Sequence, residues 1–95
     1  MAIKVFVKRK VSDRDLEALR VYIEKLRIIS TGQPGYVSGE TLRRLDYPGE
    51  ILVISKWKTR KDWQQWFESE ARRSVQAQIN SLIGLQTTYE IYDFD

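Results

Sequence analysis

Residues 51–57 read Ile-Leu-Val-Ile-Ser-Lys-Trp, and two residues further on Thr59-Arg60-Lys61-Asp62 opens a segment carrying Trp63, Trp66 and Phe67. The continuous apolar run from Ile51 to Ile54 predicts a strand buried on both faces. Thr59 followed by Asp62 predicts a capping box. Trp63, Trp66 and Phe67 then stand at i, i+3, i+4, which puts three aromatic rings on one side of a helix. All three tryptophans lie between residues 57 and 66. Aromatic side chains bury large areas, so this segment is expected to hold much of the core. Ser69 reads as a break and a new N-cap. A second helical run follows, with Val75, Ile79, Leu82 and Ile83 inward, and stops at Gly84.

Upstream, residues 3–10 alternate, with Ile3, Val5 and Val7 on one face and Lys4, Phe6, Lys8 and Lys10 on the other, as in a half-buried strand. Ser12 and Asp15 have the spacing of a capping box. Leu16, Leu19, Ile23 and Leu26 follow at helical spacing. Thr31-Gly32-Gln33-Pro34-Gly35 ends that helix. Tyr36 to Leu45 reads as a strand with Tyr36, Ser38, Glu40, Leu42 and Arg44 on one face. Asp46-Tyr47-Pro48-Gly49 is a turn, so the strand from Glu50 to Lys58 runs back antiparallel. Gln86 to Tyr92, rich in Thr, Tyr and Ile, is the last strand. The order is βαββαβ. With right-handed crossovers this predicts an α+β ferredoxin-like sandwich over a single domain, 1–95: a four-stranded antiparallel sheet with its helices on one face.

The helices cover one face of the 51–54 run, and the other face needs a second cover. At 95 residues the domain is small, and small domains bury a modest share of their surface. Both points predict a homodimer.

Composition narrows the chemistry. There is no cysteine and no histidine. That removes disulfides, thiolate nucleophiles, the usual metal ligands and the usual base at neutral pH, so no metal is expected. Sixteen basic and thirteen acidic residues give a net charge of +3, a mild excess that suits a solvated mixed-charge surface rather than a nucleic-acid patch. No apolar run reaches membrane-spanning length. The N-terminal stretch has neither an apolar signal core nor a small-residue cleavage site, so a cytoplasmic protein is expected.

Four stretches together carry a likeness: Tyr36-Val37-Ser38-Gly39-Glu40-Thr41-Leu42, Ile54-Ser55-Lys56-Trp57, Asp62-Trp63-Gln64-Gln65-Trp66 and Tyr89-Glu90-Ile91-Tyr92. Nearly the whole chain resembles the antibiotic biosynthesis monooxygenase family. The resemblance implies a dimeric α+β barrel, two sheets packed face to face with helices outside. It also implies one of several roles: oxidation of phenols, quinols or polyketide-like aromatics by dioxygen without a cofactor, haem degradation, or, without catalysis, small-molecule binding or a part in a stress response. Trp66 matches the pocket tryptophan of the haem degraders. Their haem-ligating histidine falls at Gln76, a poor ligand for haem iron, and their pocket asparagine falls near Lys8. Haem degradation is therefore disfavoured and no cofactor is expected.

The candidate substrate-binding residues are Trp66, Tyr36, Phe6, Arg73 and Gln76. Trp66 offers a flat apolar wall and one N–H donor for a planar aromatic; its plainer reading is a core residue. Tyr36 is suited to a phenol or quinone oxygen, and Phe6 is similar; both also suit packing at a dimer interface. Arg73 and Gln76 lie three apart on one helix face, and Arg73 is suited to stabilise an enolate or phenolate oxyanion. Arg73 is otherwise a solvated surface cation. No catalytic base is evident; Lys8 or Glu40 would need a shifted pKa. An RNA-binding module shares the ferredoxin-like topology, but residues 51–57 offer no glycine and only one aromatic, at the end, unlike its third strand. The expected partners are a second copy of the chain and a small aromatic molecule, with neither nucleic acid nor membrane.

Overall fold

The computed structural model describes residues 1–95. Its strands are β1 (Ile3–Lys10), β2 (Tyr36–Arg43), β3 (Glu50–Trp57) and β4 (Thr87–Asp93), and its helices α1 (Leu16–Thr31), α2 (Arg60–Glu68) and α3 (Glu70–Ile83). The sheet order is β2-β3-β1-β4, with every neighbouring pair antiparallel. This is the expected ferredoxin-like α+β sandwich. No helix is long and apolar enough to cross a membrane.

Local chemistry explains most of the boundaries. Thr59 Oγ1 accepts a hydrogen bond from the Asp62 backbone N–H at 3.0 Å and starts α2. Ser69 has extended backbone and accepts from the Arg72 N–H at 3.3 Å, so it closes α2 and caps α3. The expected box at Ser12 does not form. The Ser12 hydroxyl donates to the Asp15 carboxylate at 3.3 Å, and no side chain caps a backbone N–H. A 3₁₀ turn occupies Asp13–Asp15, and α1 begins only at Leu16.

The core lies between the sheet and the helices. Ile3, Val5, Ile51 and Trp57 from the sheet meet Leu19, Ile23 and Leu26 of α1, Trp63 and Trp66 of α2, and Val75 and Ile79 of α3. On β3, Ile51 is 2% exposed on this covered side, while Leu52 is only partly buried on the other. Leu52 and Ile54 stand opposite Lys8 and Phe6 of β1, on the open face.

The face expected for β2 is corrected by a β-bulge. Tyr36 pairs with Trp57 and Ser38 with Lys56, so Val37 is an extra residue. A bulge sets two residues of one strand against one of its partner and resets the alternation. Tyr36 therefore shares the covered face with Gly39 and Thr41, opposite Trp57, Ser55 and Val53, while Ser38, Glu40 and Leu42 lie on the open face. Strict alternation from Tyr36 puts these residues on the wrong sides.

Candidate functional site: an aromatic slot with two buried arginines

A cavity lies between the sheet and the helices, with walls from all four strands and all three helices. It is a slot of about 70 Å³ within a wider cleft, roomy enough for several waters. Its aromatic wall has two groups of rings. Trp57 and Trp66 stack with ring centroids 6.3 Å apart and planes 23° from parallel, and Tyr36 meets Trp57 edge-on at 5.3 Å. Trp63 lies against Phe67 at 5.0 Å, and Phe67 meets Tyr89 edge-on at 5.2 Å. The rim toward β2 carries Arg27, Glu40 and Thr41, all exposed. Arg27 reaches across it from α1 to the Gly39 carbonyl at 3.4 Å.

The ends of the elements place these rings. Gly35, at φ +82°, sits against Asp62; a Cβ there would stand 2.3 Å from the Asp62 carboxyl carbon. The start of α2 thus closes onto the start of β2 and brings Trp63 and Trp66 to the same cavity as Tyr36. Gly39 leaves room for the Tyr36 ring, since a Cβ would stand 2.4 Å from the Tyr36 hydroxyl. The Trp57 indole N–H donates to Ser55 Oγ at 3.0 Å. Neither the Trp66 indole N–H nor the Tyr36 hydroxyl has a hydrogen-bond partner in the protein, and both residues line the cavity.

Away from the rim, toward β1 and β4, the cavity turns polar. Arg9 is 3% exposed and Arg72 8%. One Arg9 nitrogen donates to Gln76 Oε1 at 2.8 Å, and its buried Nε has no partner. Arg72 donates from Nε to the Phe67 carbonyl at 2.7 Å and from Nη1 to the Tyr89 hydroxyl at 3.1 Å. Its guanidinium also lies over the Phe67 ring at 4.3 Å. Burial pulls the Arg9 pKa down to about 10; the Tyr89 hydroxyl opposes that shift and the Arg72 charge adds to it. Arg9 remains a cation at neutral pH.

The structure brings Trp66 and Tyr36 together in the slot. Gln76 is buried behind it, donating to Asn80 Oδ1 and Thr87 Oγ1 while accepting from Arg9. Phe6 lies on the open face of the sheet, edge-on to Tyr92 at 5.1 Å. Arg73 is exposed and faces away from the cavity, and its neighbour Arg72 takes the inward position. Arg9 and Arg72 escape the sequence reading, yet each carries a signal of phase. Arg9 continues the Ile3, Val5, Val7 alternation. Arg72 precedes Val75, Gln76 and Ile79 by three, four and seven residues, which is the buried side of α3. Reading by residue type alone assigns arginines to the surface.

Fold and cavity together define a ferredoxin-like domain with an aromatic, partly cationic slot between its sheet and helices. The model of the antibiotic biosynthesis monooxygenase family matches residues 2–78, and the chain belongs to that family. Solved structures agree on the fold. A conserved protein from Methanosarcina mazei superposes with a TM-score of 0.91 at 17% identity, covering 100% of this chain and 94% of the other. Rv0793 from Mycobacterium tuberculosis gives 0.88 at 15% identity, with 100% and 96% covered. A mutant of SnoaB, a cofactor-independent oxygenase from Streptomyces nogalater, gives 0.85 at 13% identity, with 98% and 92% covered. No curated protein sequence matches this chain significantly.

Proposed function

We propose that this protein is a cofactor-independent monooxygenase that oxidises a small phenol, quinol or polyketide-like aromatic with dioxygen. The observation that carries the reading is the aromatic slot: Trp57, Trp66, Tyr36 and Phe67 surround a space suited to one planar ring system. Family membership and the likeness to SnoaB add weight to it. In such a reaction a ring carbon of the phenol gains one oxygen atom of O₂. The other oxygen leaves as water with two hydrogens from the substrate, and a quinone results. The protein's part is to bind the ring, exclude bulk water and keep the substrate electron-rich.

A second reading, binding without catalysis, is favoured by the carboxylates. The single carboxylate among the lining residues is Glu40, exposed at the rim, so no buried carboxylate is placed to take a proton from the substrate. The enzyme therefore acts on substrates that arrive ionised, or the slot only binds. Calorimetric titration of naphthols and hydroxyanthraquinols, paired with oxygen-electrode traces, separates the two. Binding with stoichiometric oxygen uptake supports the oxygenase; binding without uptake selects the binding protein.

The working unit in this reading is a homodimer closed through the open face of the sheet. There Phe6, Leu52 and Ile54 are only partly buried, and Leu42 and Tyr92 are about half exposed, at 45% and 50%. Light scattering at micromolar concentration should give twice the chain mass; a monomer mass would remove the dimer.

A further inference from the structure

We propose that Arg9 and Arg72 form an anion subsite at the inner end of the slot, which takes the ionised oxygen of a planar aromatic ligand. The inference rests on the reading of the slot as an aromatic-binding site and specifies the chemistry of its ligand: an aromatic carrying a carboxylate, or a phenolate or enolate oxygen.

The inner end of the slot carries an imbalance of charge. Every ion pair in the structure involves Lys8, Arg14, Arg20 or Arg44, and none involves Arg9 or Arg72. Two guanidiniums are thus buried without a carboxylate between them. A buried charge is costly unless it is paired and hydrogen-bonded. A structural arginine meets this cost by satisfying its fork of five N–H donors. Arg72 does so in part, through a carbonyl, a hydroxyl and a ring face. Arg9 has one side-chain acceptor, Gln76, and a buried Nε facing none. The Arg72 charge adds to the cost of holding Arg9 ionised.

Both residues line the cavity that the tryptophans wall. They lie on the β1, β4 and α3 side, opposite the exposed rim at β2. A flat ligand that enters between the rim residues and lies along Trp66 points its far edge at them. An oxyanion there would accept charge-assisted hydrogen bonds from both forks in a site sheltered from water. Gln76 and Tyr89 are positioning residues: the first orients Arg9 and the second orients Arg72.

The test uses three ligands of one shape on the intact protein: 2-naphthoate, neutral 2-naphthamide and 2-naphthol, titrated by calorimetry. The carboxylate should bind at least about tenfold more tightly than the amide, the gain expected of charge-assisted over neutral hydrogen bonds. Bound 2-naphthol should show its naphtholate absorbance at a lower pH than in free solution. The first result identifies a carboxylate ligand and the second a phenolate; either supports the subsite. Arg9→Met should weaken 2-naphthoate far more than 2-naphthamide and so remove the preference. If Arg9→Met fails to fold, Gln76→Glu carries the same test. It sets a carboxylate beside Arg9 with little change in shape, so it should raise the melting temperature and cancel the preference for 2-naphthoate. Equal affinity for acid and amide, with no shift for naphthol, overturns the subsite and leaves the aromatic slot standing. A preference that survives in Gln76→Glu also overturns it. Binding of none of the three overturns both readings.

Discussion

Lys8 and Arg9 are consecutive cations on β1, and the two faces of the sheet treat them differently. Lys8 points to the open face, where its side chain is 37% exposed and its Nζ lies 3.2 Å from the Glu90 carboxylate. Arg9 points under the helices, 3% exposed, with one glutamine as its side-chain partner. The lysine can exchange its carboxylate for water at little cost, so the pair contributes little. The arginine cannot, and the fold carries an unpaired charge where an aliphatic residue would pack more easily. The open face is a mixed surface of Phe6, Leu52, Ile54 and compensated charges. The covered face combines an aromatic wall with uncompensated charge. An arrangement that fold stability alone disfavours points to a ligand.

The largest effect on the covered face is expected at Trp66. Trp66→Ala should cost about 3–5 kcal/mol of stability, as truncation of a buried Trp does, and should abolish binding of planar aromatics. Urea melts and calorimetry read the two effects separately. Trp63→Ala is the control on the same helix; if Trp66→Ala melts earlier yet binds like wild type, Trp66 is a packing residue only.

On the open face, Phe6→Glu places a carboxylate opposite Glu90, its register partner on β4. The substitution should cost about 1–3 kcal/mol and, if this face joins two copies, halve the mass seen by light scattering. An unchanged dimer mass would put the interface elsewhere.

Gly39→Ala probes the covered side more gently. The new methyl meets the Tyr36 hydroxyl, so the ring has to turn and the slot narrows. A cost of about 1 kcal/mol is expected, with weaker aromatic binding by calorimetry. Tight binding with unchanged stability would show that the Tyr36 ring has room to move.

The smallest effect is expected at Lys8. Removing its exposed pair in Lys8→Ala should change stability by less than about 1 kcal/mol in a urea melt. A larger loss would mean that the open face is more deeply buried in the working protein than in a single chain.

The element order, the aromatic helix and the break at Ser69 were all legible in the residues, because each depends on spacing within one segment. Thr59 and Ser69 cap their helices through residues three positions away. Trp66 and Tyr36 could be named as candidates because large aromatics at these spacings have few places to go. Alternation places Phe6 on the face opposite Ile3, Val5 and Val7, and it lies there; the facing of Arg73 is not fixed in the same way. A strand or helix position one residue off points to the other side, and the structure sets Phe6 on the open face and Arg73 in solvent.

Periodicity and turn chemistry are properties of short runs, and they were enough to set the ferredoxin-like α+β architecture; the family resemblance came from the residues of four particular stretches. Which side chains share the slot was settled only by the folded chain. The extra residue at Val37 turns Tyr36 inward, the close approach of Gly35 to Asp62 seats the start of α2 against β2, and Arg9 of β1 lines the same cavity as Arg72 of α3. Contacts between distant segments depend on register and packing angle, which no local pattern encodes.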